Sequence, residues 1–308
     1  MKKIIRVDPI DSQKVTDLRI HLFLGLACNY DCSYCDSHDI NVKPTLKPIK
    51  DITEGIDFIF KTYNSPKKTE VHLIGGEPIL YKGIFNVINA LPNFKFCIST
   101  NLSAGKKFIE KHILPLGKQI RLHASYHPEF ADPYEFIDKV NLLKEGGILT
   151  GVSALMLKEE KYWNKSLIVE KAFPGAMTRV ALKTSGTNFI FNSLMEYSEE
   201  QMKAFTTKEN GKRLKYYFDD GTDELIYLKT ARKHPELLNF FGMKCHIGKN
   251  LVIVKENGDL YPSNCLLNCK KASIGNMYDK KLKIPSNPII CPFTLCFCSQ
   301  DVEILKEI

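Results

Sequence analysis

No apolar run in this 308-residue sequence approaches the length of a membrane span, so a transmembrane helix is excluded. Export is not expected either. The start, MKKIIRVDPIDSQK, is basic but meets Arg6, Asp8 and Pro9 before a signal-peptide core can develop, which predicts a cytoplasmic protein. Internal repeats and low-complexity tracts are missing, which excludes a repeat array. Also missing is a basic stripe interleaved with aromatics. The net charge is +8, but the lysines are spread thinly, in pairs such as Lys2-Lys3, Lys67-Lys68 and Lys270-Lys271. That pattern describes a solvated surface rather than a nucleic-acid footprint.

What remains is an ordinary soluble composition, 44% hydrophobic and 25% charged, with ten cysteines. In a chain expected to stay reduced, metal binding is a better use of those thiols than disulfides. They fall into two groups. The first, in LGLACNYDCSYCDSHD, sets Cys28, Cys32 and Cys35 in a C-x3-C-x2-C array just past the apolar run RIHLFLGL. Three thiolates can hold three corners of a four-iron, four-sulfur cluster and leave one iron open. Adding His38 instead makes a closed three-cysteine, one-histidine zinc site, and these residues alone allow both.

About forty residues on, EVHLIGGEPIL ends an apolar strand in Gly75, Gly76, Glu77 and Pro78, where glycines permit close approach to a ligand. A cysteine triad after one strand and Gly-Gly-Glu-Pro after the next resembles the radical S-adenosylmethionine (AdoMet) superfamily, both motifs matching residue for residue. The resemblance implies that Cys28, Cys32 and Cys35 bind a 4Fe-4S cluster whose open iron chelates AdoMet. It also implies that Gly75, Gly76 and Glu77, with Pro78, line the methionine moiety, and that Tyr34 packs near the adenine.

Taken in order, Ile4 to Val7 reads as an edge strand in a leading segment, 1–18. Strands are expected at Arg19 to Leu26, Val71 to Ile74, Lys95 to Ser99, Ile120 to Ala124, Leu149 to Leu155 and Thr178 to Lys183. Helices are expected at Ile49 to Tyr63, Phe85 to Leu91, Lys106 to Ile113 and Tyr134 to Glu145. This alternation predicts an α/β fold with a parallel sheet. With the resemblance it becomes a partial (β/α)6 TIM-like barrel over 19–240, with a small cysteine-rich extension over 241–308. Reactive groups in such barrels sit at the C-terminal ends of strands. By resemblance, Asn101 and Ser125 there are candidates for the AdoMet ribose or the substrate, although Thr100 and Asn101 also suit a helix cap. His127 either faces substrate or, as is commoner for a histidine in a loop, is solvated. Cys97, in FKFCIS, reads as a buried, inert hydrophobe. From about Gly186 to Gly242 periodicity weakens.

The second group is Cys245, Cys265, Cys269, Cys291, Cys296 and Cys298. Between the first two, LVIVKENGDLYP reads as a hairpin with Asn257-Gly258 as a type I′ turn. The region resembles the Twitch or shortened SPASM extension of radical AdoMet enzymes, which carries one auxiliary cluster. Gly258 to Cys265 is longer than the usual spacing, and the tail C-x4-C-x-C departs from the full seven-cysteine array. The expected ligands are Cys245, Cys265, Cys291 and one or both of Cys296 and Cys298. Cys269 is left as a spare thiol that could donate hydrogen to a substrate radical; an all-cysteine zinc staple is the competing account. The resemblance implies AdoMet cleavage and hydrogen abstraction from a peptide or a sugar-like small molecule, with an external donor such as flavodoxin or ferredoxin. The rival class is a zinc-stapled, nucleic-acid-binding module without catalysis.

Overall fold

The computed structural model describes residues 2–10, 18–35, 39–64, 66, 68–183, 192–205, 213–231, 234–267, 269–296 and 298–308. The chain enters through β1 (Ile4–Pro9) and then lays down six parallel strands. These are β2 (Leu18–Phe23), β3 (Thr69–Ile74), β4 (Lys95–Thr100), β5 (Ile120–Tyr126), β6 (Leu149–Met156) and β7 (Met177–Arg179). Their order in the sheet is their order in the chain. Helices α1 (Ile49–Thr62), α2 (Ile84–Ala90), α3 (Lys106–Phe108), α4 (Pro133–Glu145) and α5 (Glu160–Ala172) fall in the connections.

Strand alternation explains both faces of this sheet. Leu18, Ile20 and Leu22, then Val71, Leu73, Phe96, Ile98 and Leu122, share one core with Ile52, Ile56 and Ile59, the apolar stripe of α1. The intervening residues Arg19, His21, Glu70, His72, Cys97, Ser99, Arg121, His123 and Ser125 therefore point to the other face. Cys97 is thus not an inert core thiol: its sulfur sits beside the side chains of Glu70 and His72.

The sixth strand is shorter than expected. Only Met177–Arg179 pairs with β6; Ala181–Lys183 (β8) leaves to pair antiparallel with Asn192–Leu194 (β9). The remaining strands are β10 (Arg213–Phe218), β11 (Asp223–Tyr227), β12 (Lys244–Cys245), β13 (Leu251–Val254), β14 (Asp259–Tyr261), β15 (Gly275–Asn276), β16 (Lys281–Leu282), β17 (Ile289–Ile290) and β18 (Lys306–Glu307). β1, expected at an edge, lies between β10 and β18 in a second, six-stranded sheet ordered β11-β10-β1-β18-β12-β17.

The hairpin β13–β14 extends the large sheet, because β13 pairs in parallel with β2. Val252 and Val254 face the first core while Leu251 and Ile253 face a second, around Tyr216, Phe240 and Ile304. Burial on both faces is why LVIV is an unbroken apolar run. Its turn is not type I′, which needs positive φ at both central residues. Gly258 donates to Lys255 O at 2.8 Å and has φ 89°, while Asn257 is absent from the residues with positive φ. The glycine thus follows the tight turn instead of sitting in its centre. Between the sheets, Arg19 and Glu303, each 4% exposed, form an ion pair at 3.1 Å.

Candidate active site

The cysteine loop and the Gly-Gly-Glu-Pro segment leave adjacent parallel strands, β2 and β3, at their C-terminal ends. The glycines bring two stretches of backbone together. Gly76 N–H donates to Gly25 O at 2.9 Å and Glu77 N–H to Ala27 O at 2.8 Å. A Cβ on Gly76 would stand 2.1 Å from Ala27 O, and one on Gly75, whose φ is 128°, 2.4 Å from Gly25 O. The close approach is therefore to the root of the cysteine loop itself. Tyr81, 2% exposed, accepts Ala27 N–H at 3.2 Å and holds the same root.

Glu77 is 1% exposed, and its carboxylate accepts from Thr100 Oγ1 (2.8 Å), Ile79 N–H (3.1 Å) and Asn101 N–H (2.7 Å). It ties the ends of β3 and β4 together. Burial outweighs these donors and pushes its pKa up to about 7. Pro78 opens the short turn 78–80 that follows. Asn101 does not cap α3, whose N-cap is Gly105; its Oδ1 accepts Ser103 N–H at 2.9 Å, a local turn, while Nδ2 donates to Asn29 Oδ1 at 3.0 Å and lies 3.9 Å from Cys28 Sγ. Leu102 next to it has φ 55°, a conformation uncommon outside glycine, with its N–H on Thr100 Oγ1 and its carbonyl on buried Lys139.

The end of β5 receives the loop from the other side. His127 Nδ1 is 3.5 Å from Cys32 Sγ and 2.8 Å from Tyr34 Oη, and its ring stacks on Tyr34 with an interplanar angle of 4°. Tyr30 stacks on Phe130 at 5.1 Å. Glu129 accepts from Ser33 twice, from the backbone N–H at 2.9 Å and from Oγ at 2.6 Å. His127 is therefore not a solvated loop histidine but abuts the cysteine loop; burial pushes its pKa down to about 4. Ser125, on the same side of β5, pairs in register with Ser153. His38, the zinc alternative's fourth donor, lies outside the described residues. Asn29, Tyr30, Tyr81 and Glu129 carry no sequence signal, because their roles depend on partners from other strands.

Burial raises the thiols of Cys28 and Cys32, the latter to about 12, in the metal-free loop. A bound cation reverses that order, since a coordinated thiol is deprotonated. Tyr30 N–H, 3.4 Å from Cys28 Sγ, and Nδ1 of His127 are then poised to hydrogen-bond ligand sulfurs. Cys28 and Cys32 thus have the polar neighbours that ligand sulfurs take. One consequence is local. Replacing Glu129 with alanine should cost about 1 kcal/mol or less, the contacts being exposed. It should nevertheless speed hydrogen exchange at the Ser33 amide well beyond the effect on β3 amides; unchanged exchange there would mean that Glu129 does not clamp the loop.

No family model matches the chain. GTP 3′,8-cyclase of Hydrogenovibrio crunogenus is 27% identical over 157 residues, 48% of this chain, and the chain spans 44% of that curated relative's length. Among solved structures, native anSMEcpe with bound AdoMet is 13% identical with a TM-score of 0.53, covering 85% of this chain and 78% of that one. Streptococcus suis SuiB bound to its precursor peptide SuiA is 17% identical with a TM-score of 0.52, covering 88% of this chain and 66% of that one. The structures share with this chain a mixed α/β fold with a parallel-strand sheet.

Against that fold, the second cysteine group is also drawn together. Cys245 and Cys291 are buried in the second core, with Cys265 and Cys296 packed against it, and burial pushes all four thiols up. Lys306 is 1% exposed and donates to the carbonyls of Asp301, Val302 and Ile304. Asp301 accepts Cys265 N–H at 2.9 Å. Cys269 opens the turn 270–272. Tetrahedral Zn–S bonds of 2.3 Å put sulfurs about 3.8 Å apart. Among the described residues, no trio of cysteine sulfurs in either group lies within 4.8 Å. No described helix is long and apolar enough to cross a membrane.

Proposed function

We propose that the chain is a radical AdoMet enzyme acting on a ribosomally made peptide. The observation that carries this reading is the docking of Gly75–Glu77 onto Gly25–Ala27, which sets the cysteine triad and a half-buried glycine backbone side by side at two strand ends. In this reading the six parallel strands are the wall of a partial (β/α)6 barrel spanning 19–240, and 241–308 is the auxiliary-cluster extension. Cys28, Cys32 and Cys35 would hold a 4Fe-4S cluster, and the chemistry that group would supply with bound AdoMet and an electron from an external donor is reductive AdoMet cleavage leading to hydrogen abstraction.

This chain's own residues hold and shield that centre. Gly75 and Gly76 offer backbone to the methionine end, while Glu77 and Pro78 brace the segment from behind. Asn101 and Ser125 edge the ribose side, and Tyr34 with His127 covers the loop. Cys245, Cys265, Cys291, Cys296 and Cys298 supply the auxiliary site, with Cys269 spare. A peptide is favoured over a small molecule because SuiB and anSMEcpe, alike in fold, are recorded with the peptides SuiA and Cp18Cys. The test is anaerobic: iron-reconstituted, reduced protein given AdoMet should form 5′-deoxyadenosine, and more of it with the right precursor peptide. Iron-loaded protein that forms none, with or without peptide, overturns the reading.

A further inference from the structure

The face of the large sheet turned away from the helices carries a donor set that the cysteine loops do not use. Glu70 and His72 lie two apart on β3 and so share that face, and Cys97 on β4 is the in-register partner of His72. One atom from each, a carboxylate oxygen, an imidazole nitrogen and a thiol sulfur, all lie within 4.8 Å of one another. Among the described residues it is the one such trio of metal-capable side chains.

Two details argue that the trio is shaped to receive something. His72 Nε2 is buried, and its near neighbour is Oε2 of Glu70 at 3.3 Å, a donor of the same trio. The His72 ring is held in plane by His21, in register on β2, whose ring stacks on it at 4.8 Å and 18°. A ring fixed by stacking, with one nitrogen turned toward a carboxylate and a thiol, is oriented as a metal ligand is oriented by its surroundings.

We propose that Glu70, His72 and Cys97 form a binding site for one divalent cation of zinc-like character, separate from both cysteine groups. Mixed sulfur, nitrogen and oxygen donors suit Zn2+, with Zn–S near 2.3 Å and Zn–N and Zn–O near 2.0–2.2 Å. Three protein ligands leave a fourth position for water or for a donor atom of a substrate, the arrangement of an open site and not of a closed staple. His72 is three residues before Gly75, so the site lies roughly 10 Å down the strand from the rim where the cysteine loop sits. Arg121, in register with Cys97 on β5, adds positive charge beside Glu70, which favours an anionic fourth ligand such as a carboxylate.

The test uses full-length, iron-loaded protein dialysed against micromolar Zn2+ and then against metal-free buffer. Wild type should retain one zinc per chain, and its zinc absorption fine structure should show one sulfur and the rest nitrogen or oxygen. H72N and C97S should each lose that zinc with iron content unchanged, and E70Q should bind it about tenfold more weakly or worse. Two outcomes overturn the proposal: no retained zinc in wild type, or a shell of sulfur alone, which puts zinc on the cysteine groups. The wild-type spectrum decides between them without any variant having to fold. Iron and 5′-deoxyadenosine are measured on the same samples, so failure of the radical AdoMet reading leaves the zinc result to stand or fall by itself.

Discussion

Gly76→Ala should leave a chain that neither reaches wild-type stability nor, on the radical AdoMet reading proposed above, holds the iron cluster of Cys28, Cys32 and Cys35. The φ of Gly76 is not in the left-handed region, so alanine is barred by neighbours and not by its own backbone. Those neighbours are Ala27 O at 2.1 Å and Leu26 O at 2.6 Å from the added Cβ, both main chain. No flexible side chain can swing aside. The segments must part, losing the bonds from Gly76 N–H to Gly25 O and from Glu77 N–H to Ala27 O. Overpacking costs about 1–3 kcal/mol where side chains can yield, and each lost bond about 1 kcal/mol more. We expect a loss of roughly 3–5 kcal/mol, read as a fall in the urea midpoint at unchanged slope, with iron per chain dropping in proportion to one cluster. Gly105→Ala is the control: nothing lies within 4 Å of its Cβ and its φ is −70°. It should be neutral or slightly stabilising. If G76A matches G105A in midpoint and iron, the two motifs are not interlocked.

That interlock shows which parts of the molecule the sequence could reveal. Apolar runs such as RIHLFL and EVHLI locate β2 and β3, and short motifs locate the two loops, since each signal lies within a dozen residues. What the runs do not carry is who meets whom. Cys97 looks like core because its neighbours Phe96 and Ile98 are core, yet strand alternation alone turns it the other way. β1 looks like an edge until β10 and β18 arrive from about two hundred and three hundred residues further on. The glycines of Gly-Gly-Glu-Pro signal a close approach, but only the fold shows that Gly25–Ala27 is what approaches. Glu129 could not be singled out, for its use is Ser33, ninety-six residues upstream.

Glu77 gives the second large effect, and its sign differs from that of most carboxylates. Its folded pKa of about 7 exceeds the ordinary value of 4.5, because burial penalises the ionised form more than Thr100, Ile79 and Asn101 reward it. Between those two pH values the folded chain binds more protons than the unfolded one, so stability must fall as pH rises. The window spans about 2.5 units at 1.36 kcal/mol each, so this group should remove about 3 kcal/mol on going from pH 4.5 to above pH 7. His127 works against it. Its pKa, pressed down to about 4 from 6.5, makes stability rise with pH between those limits. Between pH 4.5 and 6.5 the two groups oppose each other, and His123, pushed down by burial, and Asp301, pushed up by burial, also contribute, so the Glu77 contribution is read by difference. Urea midpoints of metal-free, reduced wild type and E77Q, measured from pH 4.5 to 7.5, isolate it. The glutamine cannot accept at both oxygen positions, so it should cost about 1–3 kcal/mol at pH 5, where Glu77 is largely protonated. That deficit should shrink as pH climbs and the native carboxylate is forced to ionise in its buried pocket. A deficit that instead grows with pH would mean that the three donors, and not burial, govern Glu77, and that the ionised carboxylate is the form the strand ends were built to hold.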